Sequence, residues 1–202
     1  MPVGEPSTAS GTDMPRQNQK KRFGRMYTLR DHCGKKHFSP EETRLKASVA
    51  IRRARPEEAE ELTALGMRSK ASNGYDDAFM AMCREEMTLS VSKIETAAVW
   101  VAQSDRIDGF FSLLPPDSER FAELRMFFVE PNRHRKGVGR ALWTKMEECA
   151  HELGVRAIGL DSDPFAVSFY KAMGMKVVGE APSGSIPGRM LPRMEKVLEE
   201  RS

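Results

Sequence analysis

A chain of 202 residues, 40% hydrophobic and 30% charged, is long enough to bury one core of ordinary size. No run approaches the roughly 18 apolar residues of a membrane span, and the opening MPVGEPSTASGTD lacks the charged-then-apolar order of a secretory signal. The cytoplasm is the expected compartment, and three cysteines (Cys33, Cys83, Cys149) fit a reducing one better than a disulfide scaffold.

The net charge of +3 is unevenly spread. Residues 1–46 hold ten Lys/Arg against five Asp/Glu, while the remaining residues hold 22 against 24. This first segment is rich in Ser, Pro, Gly, Gln and Lys and poor in apolar residues. Such a composition reads as a basic, disordered N-terminal extension rather than a nucleic-acid-binding arm. His32, Cys33 and His37 cluster within it, but no second ligand pair follows, and a structural zinc takes about four ligands. No metal is expected.

From residue 47 a single domain is expected, and periodic patterns begin at Val49. SVAIRRA reads as a strand, Val49 to Arg53, and RPEEAEELTALGM as a helix that Pro56 opens and Gly66 stops. After the turn SNGYDD, AFMAMCREEM gives a second helix whose Met, Phe and Cys83 stripe reads as core. Residues 97–103, 107–114 and 121–129 then form strands joined by turns, an antiparallel meander. Gly137 to Leu153 reads as a helix, with Val138, Leu142, Met146, Cys149 and Leu153 on its apolar face. Residues 156–161 form a strand that should run parallel to 121–129. PFAVSFYKAMG is a helix ending at Gly174, and MKVVGEA and RMLPRMEKVL give two last strands. The sheet is mixed.

The stretch VEPNRHRKGVGRAL (129–142) carries the chemistry. A strand running into a glycine turn and then a helix presents unpaired N–H groups to one point. Gly137 and Gly139 keep side chains away from that point, and Arg133, Arg135, Lys136 and Arg140 supply positive charge. The reading is a phosphate loop. The pattern G-x-x-x-x-G-K-[ST] is missing, which sets a P-loop aside. Asp161, about 20 residues on, suits a dinucleotide fold. Leu142 stands at that fold's third glycine, however, and too few residues follow to complete a doubly wound sheet.

Coenzyme A is the third phosphate user. His134-Arg135-Lys136-Gly137-Val138-Gly139 resembles the [R/Q]-x-x-G-x-[G/A] loop of the GNAT-type N-acetyltransferase superfamily, and the chain looks like a bacterial branch of it. A second signature, roughly N-x-x-A-x-x-[FL]-Y-x-x-x-G, matches DPFAVSFYKAMG from Asp163 through Tyr170 to Gly174. The resemblance spans residues 49–200. It implies an α/β (α+β) fold, a mixed central sheet of about seven strands flanked by about four helices. Three departures stand out. His134 replaces the loop's usual Arg or Gln, Arg135 a common Gly, and Asp163 a frequent Asn, where it reads as a helix cap.

The resemblance also implies transfer of an acetyl group from acetyl-CoA to a primary amine by direct attack, without a metal. The N–H groups of Arg135, Lys136, Gly137, Val138, Gly139 and Arg140 would hold the pyrophosphate. The backbone from Phe127 through Phe128 and Val129 would polarise the thioester carbonyl. Tyr170, a neutral phenol at pH 7, would protonate the departing thiolate. Glu123 is the first candidate for the base and Asp161 the second. The acceptor, a small-molecule or peptide amine, would lie between Met67–Tyr75 and Ser183–Arg189. There Arg189 could meet a carboxylate, and Tyr75 or Trp100 could stack on a ring. No membrane or nucleic-acid partner is expected, and a homodimer is compatible with the reading. Two other functions stay open: a non-catalytic acetyl-CoA sensor, and a protein-lysine acetyltransferase tethered by its basic tail.

Overall fold

The computed structural model describes residues 49–199; the readings of residues 1–46, including the His32–Cys33–His37 cluster, lie outside the described residues. The chain enters as strand β1, Ala50–Arg53, and a 3-10 turn at Pro56–Glu58 leads into helix α1, Ala59–Ala71. Glu58 is buried at this corner. Its carboxylate accepts from Arg52 Nη2 at 2.6 Å and Nη1 at 3.0 Å, and from the Arg55 backbone N–H at 2.8 Å. The arginine hydrogen bond, chief among these, lowers its pKa to about 2.

Gly66 does not stop α1. The helix runs one more turn, and Gly66 lies buried inside it, where an added Cβ would come within 3.3 Å of Met87 and Phe128. The glycine permits close approach to the sheet rather than a turn. Helix α2, Asp77–Met87, begins where the Asp76 side chain accepts from the Phe79 N–H at 2.8 Å. Helix α3, Val91–Thr96, is an addition to the sequence reading. Six residues with Ile94 alone buried give no periodicity to read, though Ser90 caps it through the Lys93 N–H.

Strands β2 (Ala98–Gln103), β3 (Ile107–Leu113) and β4 (Phe121–Val129) form the expected meander. Helix α4 (Val138–Glu152), strand β5 (Ala157–Asp161) and helix α5 (Val167–Ala172) follow, then strands β6 (Lys176–Pro182) and β7 (Met190–Val197). The seven-stranded sheet runs β1-β2-β3-β4-β5-β7-β6, with β4–β5 parallel and every other pair antiparallel. It is mixed, as expected, and the described residues hold five α-helices around it.

Helix α4 lays Val138, Leu142, Trp143, Met146 and Cys149 over Phe111, Leu113, Ile158, Leu160 and Met194. Leu153, expected on the same face, is exposed instead, as the residue that ends the helix. On the sheet's other face Leu62 and Leu65 of α1 meet Val99, Val101, Phe110 and Met126. Each fully buried side chain of this size contributes roughly 1.5–3 kcal/mol.

One irregularity organises β4. Ser112 of β3 faces Met126, but Leu113 faces Leu124, so Arg125 is an extra residue, a β-bulge. Facing therefore inverts across it: Ala122 and Leu124 pack in the α4 core, whereas Met126 and Phe128 pack on the α1 side. The parallel pairing with β5 covers only Phe121–Glu123 against Ala157–Gly159. Beyond it, β4 stays with β3 and β5 with β7, and the two strands part.

Glu58→Gln should cost about 2–3 kcal/mol at pH 7, because two arginines would lose their carboxylate in a buried setting. Its folded pKa is depressed, so the stabilisation is complete above the unfolded value near 4.5 and is lost as pH falls towards 2. Urea titrations of both proteins should converge over that window; an unchanging gap would assign the loss to packing.

Candidate active site

A cavity of about 740 Å³ occupies the gap between the parting strands. The ladder settles which backbone groups look into it. The Glu130 N–H donates to the Asp108 carbonyl at 2.8 Å, making these two a hydrogen-bonded pair. Alternation along an antiparallel pair then turns Phe128 towards Phe110 of β3, and the N–H groups of Phe127 and Val129 towards the open side. The backbone of Phe128, expected to share this role, is used in the ladder; its side chain lines the cavity.

Beyond Val129 a 3-10 turn at Pro131–Arg133 leads to the glycine loop. Arg133 acts there as scaffold, its Nε donating at 2.8 Å to Asp108, which is 1% exposed, and Nη2 donating to Ser104 at 3.0 Å. His134 Nε2 lies 3.0 Å from the Val129 carbonyl, an acceptor only, so that nitrogen carries the proton. Arg135 and Gly137 both have left-handed backbones, with φ of 61° and 87°. Gly137 is the residue before α4, and no side chain caps the helix. The first N–H to return into the helix is that of Ala141, to the Gly137 carbonyl at 3.0 Å. The N–H groups of Val138, Gly139 and Arg140 therefore point outwards, unpaired among the described residues. A Cβ at Gly139 would come within 3.2 Å of the Phe169 ring.

These features fit a pyrophosphate: unpaired donors at the positive end of a 15-residue helix, a backbone bared by glycine, and exposed cations around it. Arg135, Gly137, Gly139 and Arg140 line the cavity. The Val138 side chain is core, leaving only its N–H for a ligand. Lys136 faces a smaller depression of about 460 Å³ beside Asp105, Arg106 and Asn132.

Tyr170 comes off α5 into the cavity wall, 7% exposed, its ring edge-on to Phe127 with centroids 6.2 Å apart. Among the described residues no group hydrogen-bonds its hydroxyl. Burial, and secondarily the Asp163 carboxylate, push the phenol above its ordinary value, so it stays protonated.

Glu123 lies just before the bulge and outside the cavity lining. Arg193 grips it through Nη1 at 2.6 Å and Nη2 at 2.8 Å, and also donates to Asp161 at 3.2 Å. Gly159 makes room for this guanidinium, since a Cβ there would overlap it and the Phe121 ring. Asp161 does line the cavity.

The other wall joins the segments expected to frame the acceptor. The Tyr75 hydroxyl donates to Asp163 at about 3 Å and accepts from Arg189 Nη2 at 2.6 Å. Burial, chiefly, raises its pKa. Lys70 reaches Asp163 at 3.1 Å, and Ser185 donates to Glu86. Asp163 does cap the next turn, accepting from the Phe165 N–H at 3.1 Å, but it also binds three partners across the cavity. That second role, and the part of Lys70 and Glu86, had no motif to announce them. Trp100 stands apart on β2, with Lys145 4.4 Å from its ring centroid.

Among the described residues no helix is long and apolar enough to cross a membrane, and no cluster of His, Cys, Asp or Glu could hold a metal.

Fold, splay and uncapped loop together define the architecture of an acetyltransferase. Residues 57–196 match the family model described as the acetyltransferase (GNAT) domain, and the chain belongs to the GNAT acetyltransferase family. It is 33% identical over 136 residues to the peptidyl-lysine N-acetyltransferase YjaB of Escherichia coli strain K12, covering 66% of this chain and 86% of that one. In fold it is similar to the PaiA N-acetyltransferase of Thermoplasma acidophilum in complex with coenzyme A, with a TM-score of 0.63 and 23% identity over 75% of this chain and 99% of that one. A third likeness is yncA of Salmonella typhimurium with acetyl-CoA, at TM-score 0.55 and 18% identity, covering 77% and 96%.

Gly139→Asp should weaken acetyl-CoA binding more than ~30-fold, or about 2 kcal/mol, by placing a carboxylate among the loop's donors. The fold should persist, because the crowded neighbour is a side chain. Equal affinities by calorimetry would remove the phosphate assignment.

Proposed function

We propose that the protein is an acetyl-CoA-dependent N-acetyltransferase that acetylates a primary amine by direct attack. The observation that carries this reading is the splay itself. One cavity has an uncapped helix terminus at one wall, two outward strand N–H groups at its base and a protonated tyrosine beside them. Acetyl-CoA, when bound, supplies an acetyl group activated as a thioester, whose leaving group is a thiolate.

The chain's own residues divide the work. The N–H groups of Val138, Gly139 and Arg140, with the Arg135 and Arg140 side chains, hold the pyrophosphate; Lys136 adds charge from the rim. The N–H groups of Phe127 and Val129 stabilise negative charge on the carbonyl oxygen, in a site whose apolar lining strengthens each hydrogen bond. The Tyr170 hydroxyl offers its proton towards sulfur. A phenol raised above its ordinary pKa is a reluctant acid, so it acts mostly as a hydrogen-bond donor, and the lower end of the usual range applies. Proton removal from the amine falls to the cluster at the strand junction. Asp161 stands at the cavity wall, and Glu123 lies behind it, joined through Arg193.

Peptidyl lysine is a second acceptor class, favoured by the name of the Escherichia coli relative. A panel of small amines beside a lysine-containing peptide, read as free thiol, separates the two; thiol release that no amine stimulates would favour a non-catalytic sensor.

Tyr170→Phe keeps the ring that packs against Phe127 and Trp143, so coenzyme A affinity should hold. Its kcat should fall about 100-fold, the lower end of what general acid catalysis supplies. In the wild type the raised pKa leaves the phenol intact well past its ordinary 10, so Tyr170 should impose no fall in kcat between pH 8 and 10. A variant with full kcat, where chemistry limits turnover, removes the donor role.

A chain beginning at residue 47 is expected to fold and to keep its acetyl-CoA affinity, since the sheet, both cores and the cavity lie within residues 49–199. Aggregation of that shorter chain would make residues 1–46 structural.

A further inference from the structure

Arg189 leaves most of its donors unused. Its side chain is 18% exposed and lines the cavity, and its Nη2 donates to the Tyr75 hydroxyl at 2.6 Å and comes within 3.6 Å of Asp163. Among the described residues no group accepts from its Nε or Nη1. A guanidinium has a planar fork of five N–H donors that matches a carboxylate in bidentate fashion. The fork is held from behind: Arg189 lies over the rings of Tyr75 and Phe79, 5.2 and 4.9 Å from their centroids, and those rings are stacked 4.1 Å apart. Cation–π contact fixes the plane without occupying a donor.

Arg189 has no carboxylate to itself. Lys70 and Arg189 share one carboxylate, that of Asp163. The Glu86 carboxylate also lines the cavity, where the Ser185 hydroxyl donates to it, and Asp161 is taken up by Arg193. Phe165, 63% exposed, adds an apolar surface to the same wall. The loop of residues 183–189 is tied to this wall by Ser185 to Glu86 and by Arg189 to Tyr75.

We propose that Arg189, with Lys70 beside it, receives a carboxylate of the acceptor, and that the acceptor is a small primary amine carrying that carboxylate on an apolar or aromatic body. The proposal rests on the acetyltransferase reading above. The free Nε and Nη1 edge of Arg189 matches the two oxygens of a carboxylate, and the Glu86 carboxylate in the same cavity disfavours a phosphate dianion more than a monoanion. A peptidyl lysine carries no carboxylate on its side chain.

The test begins with binding. Coenzyme A-loaded protein is titrated calorimetrically with two product pairs: N-acetylphenylalanine against N-acetylphenethylamine, and 4-(acetamidomethyl)benzoate against N-benzylacetamide. At least one carboxylated member should bind more than ~10-fold tighter than its uncharged partner. Arg189→Gln should erase that preference with coenzyme A affinity unchanged, which also reports that the variant is folded. Lys70→Met should reduce the preference less, and it serves as the second probe if Arg189→Gln does not fold. In turnover, Arg189→Gln should raise KM for phenylalanine or 4-(aminomethyl)benzoate more than ~10-fold and leave phenethylamine and benzylamine unchanged. Equal binding within both pairs, no binding by any of the four, a preference that survives both substitutions, or faster turnover of a lysine-containing peptide would overturn the proposal. Failure of coenzyme A itself to bind the wild type would instead strike the acetyltransferase reading.

Discussion

The parallel pairing of β4 with β5 is only three residues long, and the rest of the site depends on its ending there. Each strand keeps its other neighbour, β3 for one and β7 for the other, so the sheet stays whole while a wedge opens in it. The extra residue at Arg125 sits where the strands part, and a bulge of this kind bends its strand and sharpens its twist. The wedge has two consequences. It bares the N–H groups of Phe127 and Val129, which a continuous ladder would have paired. It also lets the glycine loop, which leaves the tip of β4, and Tyr170, which follows β5, face one another across the gap.

The bulge also decides which residues the site can use. Because side-chain facing inverts at Arg125, Phe127 and Val129 join the aromatic cluster of Trp143, Phe169 and Tyr170 on the α4 side. Met126 and Phe128 seal the α1 side instead. Glu123, before the bulge, points to the face where Arg193 waits, so its carboxylate becomes half of a bidentate pair. Of the two carboxylates that Arg193 holds, Asp161 is the one that reaches the cavity lining. The same geometry makes Gly159 necessary, for the guanidinium lies where a side chain would be.

Much of this was legible in the sequence, for reasons that mark the limit as well. Strand β4 was read at both of its ends because alternation and flanking turn residues are local signals. The strand-to-loop-to-helix junction is legible because its glycines are local signals, and the place of Tyr170 on the helix after β5 because it lies in a spaced motif. Helix α3 is too short for periodicity, and Gly66 reads as a stop because sequence cannot tell a turn glycine from one pressed against Met87 and Phe128. The bulge leaves no mark in composition, so the turning of Phe128 towards β3 and the engagement of Glu123 were hidden. Asp163 reads as a cap, and it is one; its bonds to Lys70 and Tyr75 span 93 and 88 residues, which no local pattern encodes.

The basic residues of the loop divide by what they touch, and the division accounts for the departures from the family pattern. Arg133 is tied to buried Asp108, and Glu130 pairs with Arg68, so the two residues flanking Pro131–Asn132 anchor the turn to β3 and α1. His134 closes on the Val129 carbonyl and tethers the loop to the strand tip whose N–H groups matter. An Arg or Gln could make that bond; a histidine makes it with a shorter, stiffer side chain. What remains for a ligand are Arg135, Lys136 and Arg140, all exposed and without a partner among the described residues. Arg135 pays for its place with a left-handed backbone, a strain of roughly 1–2 kcal/mol that glycine would avoid. Its charge beside the helix terminus is the compensating gain, since an anion there meets both the fixed N–H groups and a mobile cation. The loop thus trades conformational ease for positive charge, while the backbone donors at the start of α4 stay free among the described residues.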